Sequence, residues 1–398
     1  MSIRSVPAAW QSAWNFLGNL PDKQALRLGQ FLWAVIAAVV FIIVAVDPMG
    51  RSATEEYQKA SARWWGGEES LYKGKNNYLY LPQAAMLYTP FNVLPRRVGE
   101  PLWRMVCLGS LGFAIWAAAR HLAPGRTGAV FLAASLLTLP CALSSARNGQ
   151  VNMPLAAIYL LTALALARDR WHLAAILLAL SLALKPISVV PILLCGALYP
   201  RLILPLILWL GVMLAAAFLH PDPKYVTWQY EVFWDKLTGS SAKPTGKTWS
   251  DFAGMLGAFG ITLSNSAQTL IRAAAAPLVF AACLLAALKT PDALRRALTV
   301  MVFAVIYLML FNPRTETNSY IIPGIFIGLL AAYEGLVSRN LAAAAGWVVV
   351  AILLGTENYG NWIFRPTNLW LKPLVTLAAG LWLAVRVIRM PKGGTAIF

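Results

Sequence analysis

The chain has 398 residues, of which 59% are hydrophobic and only 12% are charged, compared with about 25% charged in an average soluble protein. Its net charge is +17, from 33 Lys and Arg residues against 16 Asp and Glu residues. The basic residues lie in short links between apolar runs and form no compact basic domain. This distribution argues against nucleic-acid binding and is typical of loops at an anionic membrane surface.

Ten apolar runs, nearly free of charge, predict membrane-spanning helices. A helix needs roughly 20 mostly apolar residues to cross the hydrocarbon core, and several runs reach that length only with interfacial Trp, Tyr or polar flanks. The runs cover residues 31–46, 102–119, 130–144, 151–167, 203–219, 273–288, 297–311, 321–333, 341–355 and 373–385. They predict an all-α polytopic membrane protein. The first run is interpreted as a retained span, because no small-residue cleavage site follows it.

Between these runs, residues 173–199 contain Lys185-Pro186 and a further proline, Pro191. Proline removes a helix hydrogen bond, and broken helices at membrane depth are tolerated where they line a cavity. We therefore expect two segments, 173–184 and 189–198. The total becomes about 12 transmembrane or re-entrant helices in a single integral membrane domain over residues 1–398, with the amino terminus inside.

Alternate links between the predicted helices differ in character. One set is short and basic, which marks the cytoplasmic side. The other set contains two long loops, 47–100 and 220–268, and twelve of the sixteen acidic residues. We expect these loops to face the exterior or periplasm of a bacterial cytoplasmic membrane, and the active site to lie there. The second long loop is expected to gate that site or hold an acceptor, through residues 238–247 in particular.

The first long loop begins with Asp47, directly at the membrane boundary. Beside Pro48, this carboxylate either ends the helix or, half-desolvated, acts as a general base. An amphipathic helix is predicted next, with Glu55 and Glu56 on its wet face and Tyr57 on the other. Such a helix would lie in the membrane interface. A short surface or re-entrant helix over residues 84–88 is expected to follow.

Polar residues interrupt the apolar pattern at three further places on the predicted outer side. They are Arg147, Asn148, Gln150 and Asn152 in one turn, Lys185 at the helix break, and Arg314, Glu316 and Asn318 in a third link. Amides at membrane depth need partners, and a lysine in a helix break suits a phosphate. Ordinary loops are the alternative interpretation. With Arg51 and Asp47, these residues predict a site for a phosphate and a sugar.

The four cysteines, Cys107, Cys141, Cys195 and Cys283, all lie inside apolar segments. Their spacing matches neither a metal site nor a disulfide framework, so we interpret them as small core residues. No metal site is expected from the sequence.

Two blocks of the sequence resemble glycosyltransferase family 87, which includes polyprenyl-phosphate-mannose-dependent α-1,2-mannosyltransferases. The first block is "DP…Y…A…WW.GG…LY" followed by "YLYLP..AMLYTPFNVLP". The second is "RNGQVNMPLAAIYLLTALALARDRWHLAAILLALSLALKPISVVPILL", which is similar to the family's GQ-N, span, basic turn, span and K-P core. Together they cover roughly residues 40–200, about half of the chain.

The resemblance implies a GT-C membrane fold with an outward-facing cavity for a lipid-phosphate-linked sugar. It implies that Asp47 is the base, that Gln150 and Asn152 line the sugar site, and that Lys185 stands near the donor phosphate. Relatives often carry the aspartate four residues before the loop tyrosine, whereas here that position is Ala53. The alternatives for the base are therefore Glu55 and Glu56. The other donor-binding candidates are Arg51, Tyr57, Arg147, Asn148, Arg314, Glu316 and Asn318.

The expected reaction moves mannose or another hexose or pentose from a polyprenyl phosphate to a lipid or glycan acceptor, with inversion. Nearby cations would stabilise the phosphate that leaves, so the chemistry requires no cofactor, and a divalent metal is optional. The expected partners are the donor, the acceptor and membrane lipids. Two alternatives stay open: a transporter or flippase for a lipid-linked substrate, whose path broken helices also mark, and a non-catalytic subunit of a glycan-assembly complex.

Overall fold

The structure is a computed structural model that describes residues 8–48, 50, 52–73, 78–239 and 249–391. Within these ranges the chain forms eighteen α-helices and no strand. Arg51 and most of segment 238–247, both singled out from the sequence, lie outside the described residues.

The helices of the first half begin with a short one that the sequence pattern did not predict. They are α1 (Ala8–Asn19), α2 (Asp22–Val46), α3 (Glu55–Gly66), α4 (Pro82–Asn92), α5 (Arg96–Leu122), α6 (Thr127–Asn148), α7 (Asn152–Leu166), α8 (Trp171–Leu184) and α9 (Val189–Leu198). The second half contains α10 (Ile203–Ala215), α11 (Pro223–Gly239), α12 (Phe252–Ala258), α13 (Asn265–Lys289), α14 (Ala293–Phe311), α15 (Ile321–Leu336), α16 (Leu341–Leu354), α17 (Asn361–Thr367) and α18 (Leu371–Arg389).

Eight helical segments in the described ranges are long and apolar enough to cross a membrane. They are Asp22–Val46, Arg96–Leu122, Thr127–Asn148, Pro200–Leu219, Asn265–Lys289, Ala293–Phe311, Thr317–Leu336 and Leu371–Arg389. Four shorter apolar helices are Asn152–Leu166, Trp171–Leu184, Pro186–Leu198 and Leu341–Leu354. The all-α polytopic class is thus confirmed and every predicted run is helical. The total of about 12 transmembrane or re-entrant helices stays a prediction, because four of the apolar helices are shorter than a full span.

The centre of the bundle is α15, of which every residue is buried. Its glycines let α6 approach closely: a Cβ at Gly328 would lie 2.5 Å from Thr138 Oγ1 and 3.0 Å from the Ala134 carbonyl oxygen. Small residues at such contacts are a general feature of membrane helix packing. Helices α2, α10 and α13 are mostly exposed and form the outside of the bundle.

The predicted helix break is present at Lys185. Helix α8 ends at Leu184, Lys185 is extended with φ −159° and ψ 122°, and a 3-10 turn precedes α9. The Ser188 hydroxyl lies 2.8 Å from the Tyr159 hydroxyl and donates to the Ser181 carbonyl oxygen at 2.8 Å. These side-chain hydrogen bonds join the turn after the break to α7 and to the end of α8, which fixes the position from which Lys185 extends.

The loops that the sequence assigned to one side meet at one end of the bundle, here called the site face. Ala53 N–H donates to the Asn148 carbonyl oxygen at 2.9 Å, and Ser250 N–H donates to that of Thr315 at 2.9 Å. The Ser250 hydroxyl also donates to the Asn368 carbonyl oxygen at 2.9 Å. The short basic links lie at the other end of the same helices, here called the basic face.

The amphipathic helix predicted in the first long loop is present as α3. Its apolar face is buried against protein: the Tyr57 ring contacts those of Tyr80 and Tyr88, and Trp64 contacts Tyr225 of α11. The position of α3 in the membrane interface stays a prediction. One expectation is corrected: the following helix is longer than residues 84–88, since α4 extends from Pro82 to Asn92.

Candidate functional site

The predicted polar residues of three separate segments meet at Asn152, the first residue of α7. Asn152 is buried, and its side-chain N–H groups donate to Gln150 Oε1 at 2.7 Å and to Asn318 Oδ1 at 3.3 Å. Its Oδ1 accepts a hydrogen bond from Lys185 Nζ at 2.9 Å. One asparagine therefore connects the turn after α6, the helix break and the link after α14.

The same cluster includes a carboxylate. Gln150 Nε2 donates to Glu316 Oε2 at 3.0 Å. A continuous hydrogen-bonded chain thus runs from the Glu316 carboxylate through Gln150 and Asn152 to the Lys185 ammonium. Because each amide uses its oxygen and its nitrogen at once, the chain fixes both amide orientations. Gln150, Asn152, Lys185, Glu316 and Asn318 are hereafter called the polar cluster.

A cavity of about 490 Å³ lies against the polar cluster, within the size range of ligand pockets. Its charged wall contains Lys185, Arg314 and Glu316. The remaining wall is largely apolar and is lined by Leu79, Leu81, Leu182, Pro186, Ile187, Val189, Leu214, Phe233, Leu237, Trp249 and Pro313. The cavity can therefore bind a charged part of a ligand at one end and an apolar part along its remaining wall.

A tyrosine of the first long loop, Tyr80, lines the cavity, and Tyr57 lies behind it. The Tyr57 and Tyr80 hydroxyl oxygens are 3.2 Å apart. Burial is the main cause that raises the pKa of Tyr80 to about 12 and that of Tyr57 well above its ordinary value, and the negative charge of Glu316 contributes to both shifts. Both tyrosines consequently stay neutral at physiological pH and present O–H groups.

The other basic candidates hold different positions. Arg314 lines the cavity, and its partial burial lowers its pKa. The Arg147 side chain is exposed; the Arg147 and Asn148 carbonyl oxygens accept hydrogen bonds from Arg104 Nη2 at 3.5 Å and Ala53 N–H at 2.9 Å. In the structure the backbone of Asn148 therefore binds the first long loop, and that of Arg147 binds α5.

Glu100, a buried carboxylate that the sequence analysis did not single out, binds several residues of the first long loop. Glu100 accepts hydrogen bonds from the Tyr88 hydroxyl at 2.8 Å, from the Thr54 hydroxyl at 2.6 and 2.7 Å, and from Gln58 Nε2. It also pairs with Arg104, and both side chains are almost fully buried. This Glu100 network ties the first long loop and α4 to α5.

The Glu100 network also explains the glycine of the GQ-N turn. Gly149 has φ +68°, and a Cβ there would lie 2.5 Å from Arg104 Cζ. Its carbonyl oxygen accepts a hydrogen bond from Trp103 Nε1 at 2.6 Å. Glycine is therefore required both for the backbone conformation and for the space that Arg104 fills. The sequence signal was the pair Glu100 and Arg104, four residues apart at a span entrance.

The three carboxylates predicted as possible bases are absent from the described lining of the cavity. Asp47 is exposed at the end of α2, and its Oδ1 accepts the Gly50 N–H at 3.0 Å. Glu55 pairs with Lys59 Nζ at 2.6 Å, and this hydrogen bond lowers the pKa of Glu55. Glu56 lies 3.9 Å from the same ammonium. Among the described cavity-lining residues, Glu316 is the carboxylate.

Other features of the described residues do not compete with this site. A second cavity of about 420 Å³ between α2 and α5 has no charged side chain in its lining. All four cysteines are buried and free, as expected of core residues. No group of three or more His, Cys, Asp or Glu side chains comes together within the described ranges, so no metal ligands are assigned there.

The fold and the site define a multi-pass membrane protein with a part-charged, part-apolar cavity at one end of its helix bundle. The family model of glycosyltransferase family 87 matches residues 78–313, more than half of the chain. The chain therefore belongs to glycosyltransferase family 87 and is a membrane glycosyltransferase, as the two sequence blocks indicated. A search of curated proteins finds no match. The matched region contains the GQ-N turn and Lys185 but ends before Arg314, Glu316 and Asn318.

Proposed function

We propose that this glycosyltransferase moves mannose, or another hexose or pentose, from a polyprenyl-phosphate donor to a lipid or glycan acceptor. The observation that carries the proposal is the division of the cavity into a charged end and an apolar wall. A polyprenyl-phosphate sugar has the same division, with a hydrophilic sugar phosphate at one end and a hydrocarbon chain at the other. Val189 and Leu214, which line the cavity and are exposed on the bundle surface, would lie along the hydrocarbon chain.

Within the polar end, the cations and the amides take different parts of the donor. Lys185 and Arg314 are the cations of the cavity lining and would hold the phosphate. Sugar hydroxyls both donate and accept, and their proposed partners are Gln150, Asn152, Asn318 and Tyr57, which can do both, together with the Glu316 carboxylate, which accepts. Arg147 and Asn148, on the adjoining turn, are proposed to complete the donor site, and Arg51, which lies outside the described residues, stays a candidate from the sequence.

The proposed reaction is a single in-line displacement. An acceptor hydroxyl gives its proton to a carboxylate, and its oxygen forms the new bond to the anomeric carbon. The bond from that carbon to the phosphate oxygen breaks, and the electron pair leaves with polyprenyl phosphate, whose developing charge Lys185 and Arg314 stabilise. The configuration at the anomeric carbon is inverted.

Asp47 is the proposed base. Its carboxylate accepts one backbone hydrogen bond at the site face, whereas Glu55 is held by Lys59 and Glu56 lies beside the same lysine. A carboxylate whose pKa is lowered by a lysine is a weaker base. Glu316, which the polar cluster already binds through Gln150, is the carboxylate from which the experiment must distinguish Asp47.

The site face is proposed to lie outside a bacterial cytoplasmic membrane, because the basic face carries the short basic links. Single cysteines at exposed Glu68 and at exposed Arg201 would test this orientation, since the native cysteines are buried. In intact cells a membrane-impermeant maleimide should label Glu68→Cys and spare Arg201→Cys. The reverse labelling would place the site in the cytoplasm.

The reaction is tested by release of polyprenyl phosphate from a panel of radiolabelled polyprenyl-phosphate sugars, with purified protein in lipid and membrane extract as acceptor. Release from one donor, abolished by Asp47→Asn and retained by Glu55→Gln/Glu56→Gln, is the expected result. Loss in Glu316→Gln with activity retained in Asp47→Asn would move the base to Glu316. No release from any donor by folded protein would favour transport or a non-catalytic role.

A further inference from the structure

The link that carries Glu316 and Asn318 is held by a lysine buried near the start of α18. Lys372 is 1% exposed. Its Nζ donates to the Thr317 carbonyl oxygen at 2.9 Å and to Glu357 Oε2 at 3.1 Å, and it lies 5.9 Å from the centre of the Tyr320 ring. Three separate segments of the chain thus meet at one ammonium group.

This arrangement costs free energy. A buried ion pair loses its hydration, and replacement by apolar residues of similar size is often neutral or stabilising. A lysine so close to the end of a span could instead extend its side chain to water. Both side chains of the pair, Lys372 and Glu357, are at most 4% exposed. The inward orientation therefore calls for an explanation other than stability.

The inward orientation of Lys372 is explained by the position of Thr317 in the chain, between two residues of the polar cluster. The two neighbours of Thr317 are Glu316 and Asn318, whose side chains bind Gln150 and Asn152 of the polar cluster. Fixing the peptide group between them fixes the point from which each side chain extends. The adjoining backbone is also bound: the Asn318 carbonyl oxygen accepts from the Ser145 hydroxyl at 2.8 Å.

We propose that Lys372 is a positioning residue of the transferase. Through its hydrogen bond to the Thr317 carbonyl, it holds Glu316 and Asn318 in place against Gln150 and Asn152. Glu357 neutralises the lysine and does not itself contact that loop carbonyl. This proposal rests on the proposed function and deepens it. It also assigns part of the site to the carboxyl-terminal helices, which lie beyond the family-matched residues 78–313.

Three variants separate positioning from folding. Lys372→Met removes the donor to Thr317 and leaves a lone buried carboxylate. Glu357→Gln keeps the donor and leaves a lone buried ammonium. Lys372→Met/Glu357→Gln removes both charges and the donor together. We expect the double variant to melt at a higher temperature than either single variant, because an unpaired buried charge is costlier than none.

The value of kcat should rank the three variants in a different order from their melting temperatures. A displacement near 1 Å can cost about 100-fold in rate, so both variants that lack Lys372 should lose roughly 10- to 100-fold in kcat. Glu357→Gln should stay within about threefold of the unaltered protein, because its lysine still binds Thr317. If the lost interaction acts only in the transition state, kcat and kcat/KM for the donor fall together.

A control is the ion pair of Glu334, which is buried, and Arg386, which is 26% exposed, at the basic face, with Arg386 Nη1 2.5 Å from Glu334 Oε1. Its double variant, Arg386→Met/Glu334→Gln, should leave turnover unchanged. Backbone hydrogen exchange at residues 315–320 gives a readout independent of activity, and we expect faster exchange in both variants that lack Lys372.

The proposal is overturned if kcat follows melting temperature across the set, or if exchange at residues 315–320 is unchanged in the double variant. An inactive unaltered protein would instead count against the proposed function. In that case, hydrogen exchange would still decide whether Lys372 holds the loop.

Discussion

The two faces of the bundle use the same charged residue types in opposite ways. On the basic face, Arg126 and Lys289 donate to the carbonyl oxygens of Leu336 and Ile388 at 2.8 and 2.7 Å, which satisfies helix ends. On the site face, Arg104 and Lys372 are buried and pair with carboxylates. The contrast is one of burial: Arg126 and Lys289 keep contact with water while they bind carbonyl groups of a neighbouring helix end, whereas Arg104 and Lys372 are buried and depend on their carboxylate partners.

The largest effect is expected from the Glu100 network. Glu100→Gln leaves the Arg104 charge buried without its carboxylate, and breaking a buried pair typically costs about 3–5 kcal/mol. At the basic face, Glu334→Gln should cost about 1 kcal/mol or less, because the Arg386 side chain is 26% exposed and its charge can reach water. Unfolding of both variants in lipid micelles measures the difference, and equal losses would refute the contrast between the faces.

The second effect concerns catalysis. Lys185→Gln should lower turnover about 100- to 1,000-fold, as removal of one donor to a developing negative charge does in other enzymes. Lys185→Arg keeps the charge and should recover part of the loss. Arg201→Gln, an exposed change at the basic face, is the matched control and should leave turnover unchanged. Similar losses of turnover in Lys185→Gln and Arg201→Gln would indicate that turnover depends on the net charge of the protein and not on the lysine of the cavity.

The smallest effect concerns alkaline stability. The pKa of Tyr80 is raised by burial from 10.0 to about 12, so the folded protein keeps this proton more tightly than the unfolded chain. The corresponding stability is complete below pH 10 and is lost as the pH rises through 12. Tyr80→Phe has no proton to lose and should lose less stability over that interval. An identical pH dependence in Tyr80→Phe and the unaltered protein would exclude this contribution.

Most of the fold followed from local patterns in the sequence. Long apolar runs predicted the spans, and Lys185-Pro186 predicted the break between α8 and α9, because both features depend on neighbouring residues. Helix α1 was missed: its twelve residues are too few to span, and its position depends on distant partners such as the Leu341 carbonyl oxygen, which accepts from Trp10 at 3.3 Å.

The residues of the site also divide into those that local sequence patterns predicted and those that they missed. Gln150, Asn152, Lys185, Glu316 and Asn318 stood out as polar residues in apolar surroundings, and the structure brings them together. Glu100 and Lys372 did not stand out, because each lies at the edge of an apolar run where a charge is ordinary. Their roles arise from partners at a distance along the chain, Thr54 and Thr317 respectively. The assignment of the base to Asp47 is a prediction that Asp47→Asn and Glu316→Gln test.

The central claim is that the cavity of the site face holds the donor lipid, and photo-crosslinking tests it most directly. A benzophenone amino acid would replace Val189, which lines that cavity and is 47% exposed, or Phe113, which lines the uncharged cavity and is 55% exposed. The probe is radiolabelled polyprenyl phosphate in liposomes. The account predicts crosslinking at position 189 that excess unlabelled polyprenyl phosphate suppresses, with little at 113. Equal labelling at both positions, or labelling at 113 alone, would contradict it.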